Sequence, residues 1–264
     1  MYQSFYTGAL GAGTCMAKMG IISNNLANIN NDGFKPKTAV FSDLLNYNLN
    51  DSETAVTELM AGNGVRLQRT YTHYDVSAMA QTTSPCDFAI GDENAFFMVQ
   101  DPATGAITYT RNGNFHKGQW QDGYYLTTST GKLVLDQNGE PLEAETPDIE
   151  KLIAMLDEDY EEEEDEDEDE DDEIDEDKPR LSVYTFSNPS HLVSVGDNEY
   201  SAPAGMEPVL VEHPKIVSCA LERSGTDLSK EMVRMIECQR AYSYALKMVT
   251  TADEIETTIN SLRG

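Results

Sequence analysis

Ser23-Asn24-Asn25-Leu26-Ala27-Asn28-Ile29-Asn30-Asn31-Asp32-Gly33-Phe34-Lys35-Pro36 is the stretch at which this chain changes character. The residues before it have the spacing of one long helix, and those after it are extended and turn-rich. The asparagines account for the break, because their short amides bond nearby backbone, compete with the helical ladder and tolerate left-handed conformations. Gly33 accepts a positive φ at little cost, and Pro36 steers Lys35 away from helix. A helix is expected to stop here, with Asn25, Asn28, Gly33 and Phe34 fixing the exit of the chain from it.

Upstream, Phe5, Ala9, Ala12, Met16, Met19, Ser23 and Leu26 recur at alternating intervals of four and three, a heptad seam that Ile22 and Ile29 widen. Gly8, Gly11, Gly13 and Gly20 each cost about 1 kcal/mol relative to alanine in a helix, so the segment needs partner helices, which glycines admit at close range. The Gly-x-x-Gly-x-Gly at 8–13 follows no strand and so lacks the context of a phosphate loop. The same spacing returns near the C-terminus in Leu228, Met232, Met235, Gln239, Tyr242, Leu246 and Val249, with Ile236 beside it. The seam then steps over to Met248, Ala252, Ile255, Ile259 and Leu262. Asp227 or Thr226 is the expected N-cap. About 36 residues at 1.5 Å each make a rod of roughly 54 Å, longer than a compact domain of this size needs.

Between the helices, residues 31–69 read as an irregular connector. Val40 to Leu45 suggest a helical turn, and Val65 to Tyr71 alternate like a strand. From about Asp87 the pattern is β. Ala95 to Val99, Ile107 to Thr110, Tyr124 to Thr128 and Lys132 to Leu135 are aromatic and β-branched runs separated by Gly, Asn, Asp and Pro clusters. Strands at such short intervals predict an antiparallel meander, sandwich or small barrel, with no room for the crossover helices of a parallel sheet. Lys151 to Leu156 suggest a short helix. Leu181 to Phe186, Tyr200 to Pro203 and Val209 to Val211 resume strand character.

The net charge of −29 is concentrated. Of 47 acidic residues, 19 fall in Asp157–Asp177, which holds no base, so the rest of the chain sets 28 acids against 18 bases. A block this dense repels itself and buries nothing, which predicts a disordered acidic loop. The body lacks the Lys and Arg clusters that contact with nucleic-acid phosphate needs, and no apolar run is long enough to span a bilayer. The first basic residue is Lys18, so the N-terminus does not read as a Sec signal; the chain is expected to stay in the cytosol or to leave by a route that reads another feature.

No catalytic or cofactor-binding constellation emerges. Cys15, Cys86, Cys219 and Cys238 have no Cys-x-x-Cys spacing and read as small buried hydrophobes. His73, His116, His191 and His213 are isolated and read as surface or satisfied side chains rather than metal ligands. The acidic run has carboxylates for calcium but not the glycine-containing spacing of a calcium loop; diffuse cation binding is the most it predicts. Trp120 reads as hairpin core or surface.

These features predict an α+β fold. A discontinuous, coiled-coil-like helical module of residues 1–30 and 222–264 is joined by the connector to an antiparallel β domain of residues 70–221, which carries the acidic insert 157–177. Two long helices with apolar seams must bury them, and one antiparallel pair leaves much of both seams wet. The leftover surface predicts assembly, with Phe5, Met16, Met19, Ile22 and Leu26 on the N-terminal helix and Leu228, Met232, Met235, Ile236, Tyr242, Leu246 and Val249 on the C-terminal one. The alternative is a pair of helices folded back on the β domain as one core.

Three sets of residues resemble a known family. Asn24-Asn25-Leu26-Ala27-Asn28 followed by Asn30-Asn31-Asp32-Gly33-Phe34-Lys35 is similar to the N-terminal signature of bacterial flagellar rod and hook proteins, with Asn31 where threonine is usual. Leu221-Glu222-Arg223-Ser224-Gly225-Thr226-Asp227-Leu228 and Glu231-Met232-Val233-Arg234-Met235-Ile236 through Gln239-Arg240-Ala241-Tyr242 are similar to the C-terminal one, with Gly225 in place of asparagine. Asp87-Phe88-Ala89-Ile90, Phe96-Phe97-Met98-Val99 and Tyr109-Thr110-Arg111-Asn112-Gly113-Asn114-Phe115 look like the inner β domain of that family, and the acidic run departs from it. The resemblance implies a structural protein of the extracytoplasmic basal body. Its partners would be copies of itself, other rod and hook proteins and the flagellar type III export apparatus, with no cleaved signal, no cofactor, no nucleic acid and no membrane insertion. Length and a single modest β domain favour a distal-rod member over the longer hook protein, with a proximal-rod paralogue of similar size as the alternative. An acidic, cation-tuned binding module is the alternative from another class.

Overall fold

The computed structural model describes residues 2–45, 47–48, 60–121, 123–144 and 181–263. The acidic run 157–177 and the expected helix at 151–156 lie outside the described residues. The chain forms N- and C-terminal helices with an antiparallel β region between them in sequence. It divides into two compact units, a helical unit of residues 1–29, 36–73 and 226–264 and a β unit of residues 30–35 and 74–225.

In the helical unit, α1 spans Tyr2–Ala27 and α2 spans Leu228–Arg263. The start of α2 follows from Asp227, whose Oδ1 accepts the backbone N–H groups of Ser229 at 2.9 Å and Lys230 at 3.2 Å. Those amides hold its carboxyl below the usual range, as an N-cap does. The two helices run antiparallel, since Gly8 meets Ala245 and Val249 while Cys15 meets Cys238. Small residues allow the approach. A β-carbon at Gly8 would lie 3.1 Å from Val249 Cγ2 and 3.3 Å from Ala245 O, and one at Gly11 would lie 3.8 Å from Ala245 Cβ.

The segment after α1 returns along it. Strands β1 (Lys37–Asp43) and β4 (Val65–Thr72) pair antiparallel with a bulge between Val40 and Phe41, and the short strands β2 (Tyr47–Asn48) and β3 (Met60–Ala61) pair within the same excursion. The Lys18 ammonium stands over the Phe41 ring, and Gly64 lies against Thr7 and Leu10. The helical turn expected over Val40 to Leu45 is therefore a correction. Thr38, Val40 and Phe41 suit a strand, and pairing with β4 supplies the backbone partners that an isolated helical turn would lack.

The β unit comprises β5 (Met79–Gln81), β6 (Phe88–Ile90), β7 (Ala95–Gln100), β8 (Ile107–Thr110), β9 (Phe115–Trp120), β10 (Gly123–Thr128), β11 (Leu133–Val134), β12 (Val183–Thr185), β13 (Val193–Gly196), β14 (Glu199–Ser201), β15 (Val209–Leu210), β16 (Ile216–Ser218) and β17 (Ala220–Glu222). Its main sheet runs β13-β14-β8-β7-β11-β10-β9, with β12 pairing both β7 and β15. All its pairings are antiparallel, in keeping with the short turns between strands. Strand β7 explains the continuous apolar run in the sequence. Ala95, Phe97 and Val99 join a cluster with Phe115, Leu126, Val134 and Val183, while Phe96 and Met98 join another with Tyr74, Tyr109, Tyr184, Phe186 and Tyr200. Alternate side chains leave opposite faces of a strand, so both faces of the sheet are buried here. Two smaller pairs, β16 with β6 and β17 with β5, take the chain out of the unit towards α2 in sequence. The backbone turns between them at Cys219, which has a φ of +51°.

Candidate assembly interface

The break after α1 is built as its composition suggests. The buried Asn25 side chain pairs with Lys37 backbone at two points, Nδ2 donating to Lys37 O at 2.8 Å and Oδ1 accepting from Lys37 N at 3.0 Å. Asn28 Nδ2 donates to Asn24 O at 2.8 Å, closing the last turn of α1. Gly33 has a φ of +69°, and a β-carbon there would lie 2.7 Å from Asn112 N, so both conformation and space require glycine. Gly33 N donates to Glu222 O at 2.7 Å and Gly225 N to the buried Phe34 at its carbonyl at 3.0 Å, so residues 30–35 lie against the stretch that leads to α2.

A buried ion cluster fixes that arrangement. Lys35 Nζ contacts Glu222 Oε1 at 2.6 Å, and Arg111 Nε contacts Glu222 Oε2 at 2.7 Å, all three side chains having no solvent exposure. The remaining donors are satisfied by backbone: Lys35 Nζ donates to Asp75 O, Arg111 Nη1 to Ala95 O and Arg111 Nη2 to Ile90 O, while Ser77 N donates to Glu222 Oε1. Burial, seconded by the Arg111 charge and opposed by Glu222, lowers the Lys35 pKa to about 8. Sequence reasoning did not single out these three residues. The signal was present, since Lys35, Arg111 and Glu222 each sit in one of the three family-like motifs.

The helices hold the residues chosen for assembly in two groups. Ile22 is buried, and Met19, Leu26, Met235, Tyr242 and Val249 are half-buried. Of these, Val249 lies against Gly8 at the contact between α1 and α2, where Cys238 also meets Cys15. Phe5, Met16, Leu228, Met232, Ile236 and Leu246 are exposed, Met16 by 67 % and Met232 by 53 %. Tyr244, Met248, Ile255, Ile259 and Leu262 extend the exposed set along α2. Half of the large residues that mark the heptad pattern thus remain outside, while Gly8 and Gly11 let the helices approach closely at Ala245 and Val249.

The histidines behave as expected of satisfied or surface groups. His73 Nε2 lies 3.0 Å from Thr38 Oγ1, and His116, His191 and His213 are exposed. Among the described residues no group of three or more His, Cys, Asp or Glu side chains could hold a metal ion, and no helix is long and apolar enough to cross a membrane.

Residues 217–262 match the family described as "Flagellar basal body rod FlgEFG protein C-terminal". The flagellar basal-body rod protein FlgG of Buchnera aphidicola subsp. Acyrthosiphon pisum is 27 % identical over 277 residues, covering 99 % of this chain and 100 % of that one. The protein of the same name from Bacillus subtilis is 28 % identical over 273 residues, covering 97 % of each. That of Borreliella burgdorferi is 28 % identical over 276 residues, covering 100 % of this chain and 99 % of its own. Along nearly its whole length the chain is thus similar to flagellar basal-body rod proteins, a family that is structural rather than enzymatic. Within the family it is most like the distal-rod protein, and it is a structural subunit of the flagellar rod.

Proposed function

We propose that the chain polymerises helically with copies of itself into the shaft that carries torque from motor to hook. In this reading the contact between α1 and α2, with Met19, Ile22, Leu26, Met235, Tyr242 and Val249, organises each subunit. Phe5 and Met16 together with Leu228, Met232, Ile236 and Leu246 then pack against neighbouring subunits as nested coiled coils. The motif turn of Asn25, Asn28, Gly33 and Phe34 sets the path of the chain out of α1. Other rod and hook proteins join the ends of the polymer. The subunit reaches the extracytoplasmic basal body through the flagellar export apparatus without a cleaved signal.

The observation that carries the proposal is the exposed row of large apolar side chains on both helices. Burying each such side chain is worth about 1.5–3 kcal/mol, and copies of the same chain offer matching surfaces at high local density. Leu246→Asp tests it, with light scattering and electron microscopy reporting assembly and circular dichroism reporting fold. The variant is expected to keep the fold and lose filaments. Unimpaired filaments would overturn the proposal.

A further inference from the structure

We propose that Cys15 and Cys238 form a disulfide that staples α1 to α2 when the chain meets a small-molecule disulfide as oxidant. Cys238 Sγ donates to the backbone carbonyl of Cys15 at 3.0 Å, although 223 residues separate the two in sequence. The Cys238 sulfur thus touches the backbone of the opposite cysteine, and Cys15 is among the groups that act on the Cys238 thiol. The helices can come together because Gly8 and Gly11 meet Ala245 and Val249 two turns and one turn away. Disulfides need a close approach of this kind between the two backbones.

The two thiols have complementary surroundings. Cys15 is half-buried and open to a reagent, whereas Cys238 is buried. The Cys15 thiolate attacks one sulfur of the oxidant, forming a mixed disulfide and releasing one small thiol. The Cys238 thiolate then attacks the Cys15 sulfur, forming the protein disulfide and releasing the second small thiol. The two cysteines lose two protons and two electrons, and the oxidant is reduced to two thiols. Burial, with Cys15 nearby, pushes the Cys238 thiol above its ordinary value, so the second step is the slower and quickens as pH rises.

The product would close a loop spanning most of the chain, which restricts the unfolded state and leaves Phe5, Met16, Leu228, Met232, Ile236 and Leu246 free on the outer faces. The test uses the full-length chain incubated with oxidised glutathione near pH 8, then alkylated and mapped by mass spectrometry. A peptide joining Cys15 to Cys238 is expected, together with a rise of about 10 °C in the midpoint of helix loss relative to the reduced chain. Cys15→Ser should abolish both. Persistence of glutathione on Cys15, linkage of Cys15 to another cysteine, or a crosslinked peptide without a shift in midpoint would each overturn the proposal.

Discussion

Lys35 and Glu222 lie 187 residues apart in sequence and meet at 2.6 Å with neither side chain exposed to solvent. Arg111 occupies the second oxygen of the same carboxylate. One anion therefore balances two buried cations that stand on different segments of the β unit.

Glu222→Gln tests how much depends on that anion. The amide keeps the shape but leaves two buried cations without a counter-charge, a loss of about 3–5 kcal/mol for a broken buried pair. Urea denaturation of the full-length chain, followed by tyrosine and tryptophan fluorescence, should show a clearly lower midpoint with little change in slope. A midpoint equal to the parent chain would mean that the cluster is neutralised in some other way.

The lowered pKa of Lys35 gives a second, pH-dependent test. With a folded value of about 8 against 10.5 for the free group, the unfolded chain binds more protons between these limits. The contribution of Lys35 to stability is therefore present in full above pH 10.5 and falls away as pH drops through 8. Lys35→Met removes this dependence, so the stability difference between the parent chain and the variant should move in favour of the parent as pH is raised from 8 towards 10.5. A difference that stays flat across that window would show that Lys35 titrates normally.

The glycines of α1 are not equivalent. A side chain at Gly8 would press on Val249 and on the Ala245 carbonyl, whereas nothing lies within 4 Å of a β-carbon at Gly13. Gly8→Val should lower stability by about 1–3 kcal/mol through overpacking, while Gly13→Ala should raise it by about 0.5–1 kcal/mol through helix propensity. Thermal unfolding followed by far-UV circular dichroism distinguishes the two, and the idea of a close contact at Gly8 fails if both substitutions stabilise.

The parts of the fold that were legible from residues alone are those whose signal is local. The asparagine-rich stop, the positive φ of Gly33, the Asp227 cap and the doubly buried run of β7 all follow from side chains acting on their own neighbourhood. Strand β9 was not, because Phe115-His116-Lys117-Gly118-Gln119-Trp120 is polar at its centre and lies at the margin of the sheet. Strands β5, β16 and β17 are three residues each and owe their conformation to partners more than a hundred residues distant. The helix pattern was legible as a period but not as a contact. Leucine and methionine mark the period, whereas the closest approach is made by Gly8 and Gly11 against Ala245 and Val249 and by Cys238 at Cys15. The ion cluster could not be read at all from charge, since a lysine, an arginine and a glutamate so far apart look like ordinary surface residues until the fold brings them together.

Strand β17 has a temporal consequence as well as a spatial one. It is the last strand before α2, and its Glu222 supplies the counter-charge for Lys35 and Arg111, which occur much earlier in the chain. A polypeptide delivered from its N-terminus thus holds two cations with nowhere dry to go until the final sixth of its length arrives. Contacts between such distant segments carry the full entropy of loop closure and form slowly. This cluster therefore closes only when nearly all of the chain is present.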